Sequence, residues 1–168
     1  MRSGIRYRAW QYFQSLKRSL TDQDWQEINK VLSAAELSLF SKLPVPDQNH
    51  SLRVYREMKK EGEQSPDLLK AALLHDLGKI CYPLRRWERV LAVLIRALFP
   101  ERLTDWSQET PPWRWRKPLV VMAHHPAWGA ELAREAGCSP RTVWLIRHHE
   151  GKNLSEINSE ENVELLNK

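Results

Sequence analysis

Residues 68–79 read LLKAALLHDLGK, and this stretch decides the fold. Residues 65–67 read Ser-Pro-Asp, which is a helix start signal: a capping hydroxyl, a proline at the first helical position, then an acid. The segment behind them is apolar on nearly all sides, which predicts the central buried helix, and Gly78 is expected to end it. The adjacent His75 and Asp76 would bury a carboxylate at that end, which is costly unless another group pairs with it. A metal ion is the economical partner.

Apolar residues recur at helical spacing along most of the chain, and nothing alternates convincingly with period two. The predicted fold class is therefore all-α, a compact single-domain helical bundle. Residues 1–45 are expected to form an N-terminal helical extension, and residues 46–168 a core with an insertion at 82–122. The predicted helices are residues 6–20, a helix capped by Thr21, residues 34–43, a helix from about His50, the helix ending at Gly78, residues 84–99, a helix from 119 interrupted at Pro126 and continued over 127–136, and a helix after Ser139.

The composition is that of an ordinary globular protein, with 168 residues, 42% of them hydrophobic and 28% charged. Wholesale disorder is excluded, because it requires fewer apolar residues. Cys81 and Cys138 are far apart and form no CxxC pattern, which excludes a disulfide scaffold and fits a reducing cytosol. The most apolar stretch, residues 90–99, contains Arg96 and falls short of the ~18 residues of a membrane span. No signal peptide is predicted, so the expected localisation is cytoplasmic.

The six histidines lie in four places, each at or near the end of a predicted helix. They are His50, His75, His124, His125, His148 and His149. Imidazole and carboxylate together are the ligand set of divalent Fe, Mn, Zn, Co or Ni, and they exclude a soft thiolate site. An aspartate beside a ligating histidine can bridge two ions, which could clamp the attacking and leaving oxygens of a phosphoryl transfer. A lone histidine on an apolar face is more often a hydrogen-bonded core residue, and for His50 alone that interpretation is favoured. Taken together, the histidines predict one metal site.

At these residues the chain resembles the HD-domain metal-dependent phosphohydrolase superfamily, whose motifs occur in the order H…HD…D with added histidines in some branches. The matching elements are HSLRV from His50, AALLHDLGKI with His75 and Asp76, HPAWGA from His125, and IRHHE with His148 and His149. The resemblance covers about residues 47–152, and the combination of elements makes it specific. It implies a bundle of HD-domain type that binds one or two divalent transition metal ions. The ligands implied are His50, His75, Asp76, His125 and His148, with His149 as a further or outer ligand.

The activity implied is a metal-dependent phosphohydrolase, a phosphomonoesterase or phosphodiesterase that cleaves a small phosphorylated molecule through metal-activated water. A nucleotide is one such substrate. Asp76 would position the metals, Lys79 would contact a substrate phosphate, and Arg85 and Arg86 would help to hold it, because cations beside the metals neutralise phosphate charge. Two alternatives stay open. One is a di-iron oxygenase built on the same ligands, and the other is a non-catalytic, metal-stabilised binding or regulatory module.

The chain departs from the family pattern at two points. Residues 151–154 read GKNL where HD-GYP domains carry their GYP-type element, which argues against a dedicated cyclic dinucleotide phosphodiesterase. The family's last aspartate has no counterpart, because no Asp follows Asp105. Either that aspartate lies beyond Lys168, which the helical pattern of residues 162–168 favours, or a Glu within 150–164 replaces it, or one metal site is weakened.

The insertion at 82–122 is rich in tryptophan and arginine. It holds four of the eight tryptophans, with eight basic and four acidic residues, a net charge of +4. Tryptophan and arginine together can stack on bases, so a nucleic acid partner is allowed but not favoured. An apolar helix face could instead lie on a membrane surface, or the segment could pack as a lid over the core. The face would consist of Trp87, Val90, Leu91, Leu94 and Leu98.

Overall fold

The computed structural model describes residues 19–108 and 114–149, and every regular element within them is helical, so the all-α fold class is confirmed. The predicted helix over residues 6–20 lies outside the described residues except at its last two positions, and so does the chain after His149. The α-helices are α1 (Asp22–Asn29), α2 (Ala34–Phe40), α3 (Val45–Lys60), α4 (Pro66–Leu74), α5 (Arg86–Leu98), α6 (Leu103–Trp106), α7 (Lys117–Glu135) and α8 (Pro140–His148). Short 3-10 helices span Leu77–Ile80, Pro100–Arg102 and Arg114–Arg116.

Two capping boxes fix the starts of α1 and α2. The Thr21 hydroxyl accepts from the backbone N–H of Asp24 at 3.3 Å, and the Asp24 carboxylate accepts from the backbone N–H of Thr21 at 2.7 Å. Ser33 and Glu36 form the same reciprocal pair. These bonds satisfy N–H groups that the first turn of a helix leaves without an intrahelical partner. The predicted cap at Thr21 is confirmed.

Helix α3 begins at Val45 rather than near His50, so the prediction of its start is wrong. Proline is tolerated in the first turn of a helix because its missing N–H would have no intrahelical acceptor there. Pro46 occupies this position, and residues that look like a turn in the sequence form the first turn of the helix. As a result Asp47 is a buried helical residue, and its two carboxylate oxygens accept hydrogen bonds from Arg89 of α5, both at 2.7 Å.

Helix α4 lies at the centre of the hydrophobic core, as predicted, and its leucines and alanines at the core face are fully buried. The same cluster of buried side chains draws on α1, α2, α3, α7 and α8. Helix α4 ends at Leu74, earlier than the predicted end at Gly78, and the 3-10 helix Leu77–Ile80 follows. The break leaves His75 and Asp76 between two helical segments. No helix in the described part of the chain is long and apolar enough to cross a membrane.

Two glycines allow the 3-10 helix Leu77–Ile80 to lie directly on α7. A Cβ atom at Gly78 would fall 2.0 Å from the carbonyl oxygen of His125 and 2.8 Å from the backbone nitrogen of Gly129. A Cβ atom at Gly129 would fall 3.0 Å from the backbone nitrogen of Gly78. The obstacles are backbone atoms, which cannot swing aside as a side chain can. This close approach brings Asp76 next to His125.

Helix α7 runs through Pro126 without a break, so the predicted interruption is wrong. A proline at this position has no N–H for the carbonyl oxygen of Met122, four residues earlier. The imidazole Nδ1 of His125 lies 2.9 Å from that oxygen and 3.0 Å from the carbonyl oxygen of Val121. The histidine ring thus supplies the donor that the proline lacks, and the same contacts fix the orientation of the ring.

We predict that Gly78→Ala lowers the free energy of unfolding by about 3 kcal/mol or more, because the new Cβ must push the 3-10 helix away from α7. Gly129→Ala should cost less, since its Cβ meets backbone at 3.0 Å rather than 2.0 Å. Urea unfolding curves measure both losses.

The matched control for these glycine variants is Gly62→Ala. Gly62 has φ of 92° with open space around its Cβ position, so the variant should lose only about 1 kcal/mol through backbone strain. Equal losses in Gly78→Ala and Gly62→Ala would show that the close contact with α7 does not hold.

Candidate metal centre

Five of the predicted ligands converge on one place, brought there by α3, the end of α4, α7 and the residue after α8. Ligand atoms of His50, His75 and Asp76 all lie within 4.8 Å of one another, and so do those of Asp76, His125 and His149. Asp76 belongs to both groups. The ring centroid of His75 is 5.2 Å from that of His50 and 4.9 Å from that of His149. Four imidazoles from distant parts of the sequence therefore surround one carboxylate.

Backbone carbonyl groups orient three of the four imidazoles. Nδ1 of His75 lies 3.0 Å from the carbonyl oxygen of Ala72, and Nδ1 of His149 lies 2.7 Å from that of Ile146. His125 makes the two corresponding contacts within α7. A carbonyl oxygen can only accept a hydrogen bond, so Nδ1 carries the proton in each of these rings. Nε2 of each neutral ring therefore presents a lone pair.

Two of these lone pairs face the Asp76 carboxylate. Nε2 of His125 is 3.4 Å from Oδ1 of Asp76, and Nε2 of His75 is 3.6 Å from Oδ2. A nitrogen lone pair and a carboxylate oxygen repel each other unless a proton or a metal ion lies between them. Asp76 is only 2% exposed, and no donor among the described residues is aligned for a hydrogen bond to its Oδ2. The buried donors thus fit a shared divalent cation.

Lys79 places a positive charge beside the buried carboxylate. Its Nζ is 2.7 Å from Oδ2 of Asp76, an ion pair without the angles of a hydrogen bond. Burial alone would raise the pKa of Asp76, but the charge of His75 and a hydrogen bond from His125, when these rings are protonated, together with Lys79, outweigh burial and hold this pKa well below its ordinary value. Asp76 is therefore ionised at neutral pH, as a metal ligand must be.

His50 is held differently from the other three imidazoles. Its Nδ1 lies 3.1 Å from Nη2 of Arg53. A guanidinium group can only donate, so Nδ1 accepts, and the neutral ring carries its proton on Nε2. If His50 binds a metal ion through Nδ1, that atom is no longer free for Arg53, and if it binds through Nε2, the proton moves to Nδ1. In either case His50 can become a ligand only by releasing Arg53.

His148 lies outside the cluster. It is exposed, its Nδ1 is 2.9 Å from the carbonyl oxygen of Trp144, and its ring centroid is 4.4 Å from that of Trp144. Successive residues of a helix point about 100° apart, so only one of two adjacent histidines can face the same site. The structure places His149, rather than His148, beside Asp76.

The remaining candidates also lie apart from the cluster. Nε2 of His124 is 2.8 Å from the carbonyl oxygen of Ser107. Of the two adjacent histidines, His125 belongs to the cluster and His124 does not, which agrees with the preference for His125 from the sequence. Arg85 is exposed at the start of α5, and the structure describes no contact between its side chain and the histidines. The side chain of Arg86 lies outside the described part of the structure.

Three residues that shape this site have roles that sequence reasoning misses. From sequence alone, Arg53 is assigned no role. Its spacing of three residues from His50 places both side chains on one face of a helix, and this spacing could have predicted their contact. Gly78 is interpreted only as the end of a helix, and Pro126 only as a break. The close approach of Gly78 to α7 depends on tertiary packing, and the bond from the ring of His125 to the carbonyl oxygen of Met122 depends on the orientation of that ring.

The donor set suits a borderline divalent ion. Imidazole nitrogens and carboxylate oxygens bind Fe, Mn, Zn, Co and Ni. Neither cysteine belongs to the two groups, since Cys81 is exposed and the buried Cys138 donates to Glu36. Because Asp76 belongs to both groups and its two oxygens face different histidines, the residues could hold one ion or two.

We predict that the metal-free protein loses stability as the pH falls from about 6.5 to about 4. Burial lowers the pKa of both His50 and His149 from 6.5 to about 4, and repulsion by His75, when that ring is protonated, adds to the effect. The unfolded chain therefore takes up protons in this interval before the folded chain does. The stability contributed by the neutral rings is complete above about pH 6.5 and is lost as the pH falls through about 4.

Urea midpoints near pH 7 and near pH 4.5 test this dependence. His149→Gln should shift less between the two pH values than the parent does. His148→Gln is the control and should shift as the parent does, because its ring lies outside the cluster. The same shift in His149→Gln as in the parent would contradict the account.

The match to a known family includes all of these residues. Residues 48–166 match the HD domain family, a match that covers more than half of the chain and contains every member of the two ligand groups. No curated protein and no solved structure is detectably similar to the chain. Family match and geometry together place His75 and Asp76 as the paired motif at the end of the buried helix. The chain therefore belongs to the HD domain family, and with it to the superfamily of metal-dependent phosphohydrolases.

Proposed function

We propose that this HD domain is a hydrolase of a small phosphate ester, with one or two divalent transition metal ions held by His50, His75, Asp76, His125 and His149. The observation that carries the proposal is that Nε2 of His75 and Nε2 of His125, which present lone pairs when their rings are neutral, lie 3.6 Å and 3.4 Å from the oxygens of the ionised and buried Asp76. A divalent cation there would compensate both lone pairs and the carboxylate charge. When bound, such an ion supplies Lewis acidity that polarises a phosphoryl oxygen and makes water more acidic.

Asp76 holds the centre together in this proposal. Its low pKa keeps the carboxylate ionised across the neutral range, and its two oxygens face different histidines. The carbonyl groups at Nδ1 keep the rings of His75, His125 and His149 in the tautomer that directs Nε2 toward it. The orientation of these three rings is therefore set before any ion binds, which lowers the cost of ordering the site.

Among the described residues, Lys79 and Arg53 are cations that border the cluster, and each contacts a group that would bind the metal ion. Lys79, 26% exposed, contacts Asp76, and Arg53, 49% exposed, contacts His50. A divalent cation would neutralise the charge that holds Lys79 and would require His50 to release Arg53. Both side chains would then be available to bind phosphate oxygens, through charge-assisted hydrogen bonds. Arg85 and Arg86 stay proposed as further phosphate-binding residues from the start of α5.

The proposal is tested by His75→Ala on a panel of phosphomonoesters, phosphodiesters and nucleotides, with Mn, Fe, Co, Ni and Mg added in turn. Hydrolysis by the parent should require one of these metals, and His75→Ala should abolish it. His148→Ala is the matched control and should retain the activity of the parent, since its ring lies outside the cluster. Loss of activity in both variants, or in neither, would contradict the assigned site.

Other outcomes of the same panel would replace the proposal. Consumption of oxygen with iron and a non-phosphorylated substrate, without release of phosphate, would identify a di-iron oxygenase. Stable metal content with no turnover of any phosphoester would identify a non-catalytic, metal-stabilised module.

We predict that Lys79→Ala lowers kcat/KM by about a hundredfold while metal content stays that of the parent, because one charge-stabilising donor is lost and no ligand is. Lys79→Arg should recover only part of the activity, since a planar guanidinium does not copy a compact ammonium group. Lys42→Ala, at an exposed lysine after α2, is the control. Parent-like kinetics in Lys79→Ala would show that Lys79 has no role in catalysis.

A further inference from the structure

Exposed apolar side chains are concentrated on one part of the surface. In the described part of the chain, the large hydrophobic side chains with high exposure all fall between residues 87 and 115, with exposed fractions from 44% to 67%. There are seven such side chains among the described residues, and the exposed apolar band, as we call it, comprises all of them except Val93: Trp87, Val90, Leu94, Leu98, Phe99 and Trp115. Single exposed apolar residues are ordinary on a protein surface, but a contiguous set of this kind marks a binding surface.

Helix α5 has apolar residues on two different sides. Ala92 and Ile95 face the protein and are buried. Trp87, Leu94 and Leu98 are separated by seven and four residues, which places them on one common side of a helix, and each is more than half exposed. The polar side expected of a surface helix is thus replaced by a second apolar side, which has no partner among the described residues.

Aromatic rings extend the exposed apolar band beyond the end of α5. The ring centroids of Phe99 and Trp106 are 5.9 Å apart, and those of Trp106 and Trp115 are 5.2 Å apart. The guanidinium carbon of Arg116 lies 5.4 Å from the ring centroid of Trp115. Tryptophan next to arginine, with aliphatic side chains beside them, is a composition suited to the boundary between lipid headgroups and acyl chains.

The net charge of this segment indicates what kind of partner binds the exposed apolar band. Residues 82–122 carry eight basic and four acidic side chains, a net charge of +4 in a chain of net charge +5. A second copy of the chain would set this positive segment against an identical one, and like charges facing each other are unfavourable. An anionic lipid bilayer offers both an apolar acyl-chain region and negatively charged headgroups.

We propose that the exposed apolar band docks this domain on anionic lipid bilayers, with α5 lying parallel to the membrane plane. The apolar side of α5 inserts below the headgroups. Of the basic residues of the same segment, the exposed Arg102 and, beside Trp115, Arg116 face the lipid phosphates, whereas Arg89 stays bound to the buried Asp47. The insertion at 82–122 is then a membrane-binding element. This inference does not depend on the hydrolase activity.

Sedimentation of the full chain with vesicles tests the proposal. The parent should bind vesicles of phosphatidylcholine mixed with phosphatidylglycerol, bind those of phosphatidylcholine alone weakly, and be released at high salt, because salt screens surface charges. Leu94→Glu with Leu98→Glu should lower the affinity at least about tenfold, since the two new carboxylates oppose insertion. Lys60→Glu changes the net charge by the same −2 on α3, outside the band, and should bind nearly as the parent does.

Trp87→Ser is a second variant that adds no charge, and it should weaken binding in the same direction. Far-UV circular dichroism shows whether each variant is folded, which is expected because the changed positions are exposed. Parent-like binding by both variants would overturn the proposal. The proposal would also be overturned if the parent did not bind vesicles but formed a dimer, measured by light scattering, that the double variant disrupts. A parent that binds single-stranded oligonucleotides but not vesicles would overturn it as well.

Discussion

The buried negative charge of Asp76 is the constraint on which the rest of the structure depends. An ionised carboxylate at 2% exposure is tolerated only when its surroundings compensate it. Here Lys79 supplies a positive charge at 2.7 Å, and imidazoles approach from three other segments of the chain. The Nε2 atoms of His75 and His125 that face it carry lone pairs when their rings are neutral, so a divalent cation among them would be bound by lone pairs and carboxylate together.

The irregular points of the backbone coincide with the site. Helix α4 stops at Leu74, so that His75 and Asp76 stand at a helix end. Pro126 leaves a carbonyl group without its helical donor, and the ring of His125 both satisfies that group and takes its orientation from it. Gly78 allows the following 3-10 helix to contact α7 backbone to backbone. Each departure from regular helix orients a side chain of the candidate metal centre or brings it close to Asp76.

Much of this could be predicted from sequence, and the misses have physical causes. The all-α fold follows from helical spacing, and the buried helix that ends at His75 and Asp76 follows from its nearly continuous apolar character. Which of His148 and His149 faces the site could not be predicted, because that depends on the rotational phase of α8 in the packed bundle. Proline usually interrupts a helix, and this effect predicts a break at Pro126. In the structure the imidazole of the neighbouring His125 donates to the carbonyl oxygen of Met122 in place of the missing N–H. The pairing of Arg53 with His50 depends on a tautomer that sequence does not specify.

The most direct test of the account is calorimetric titration of the metal-stripped protein with Mn²⁺ or Co²⁺, compared between the parent and Asp76→Asn. The parent should bind at least one ion per chain, because the groups that face Asp76 are already oriented for it. Asp76→Asn keeps the size of the side chain but removes its charge, and its affinity should be weaker by on the order of a hundredfold or more. Equal affinity in the two proteins, or no binding by the parent, would contradict the central claim that Asp76 and its histidines form a metal centre.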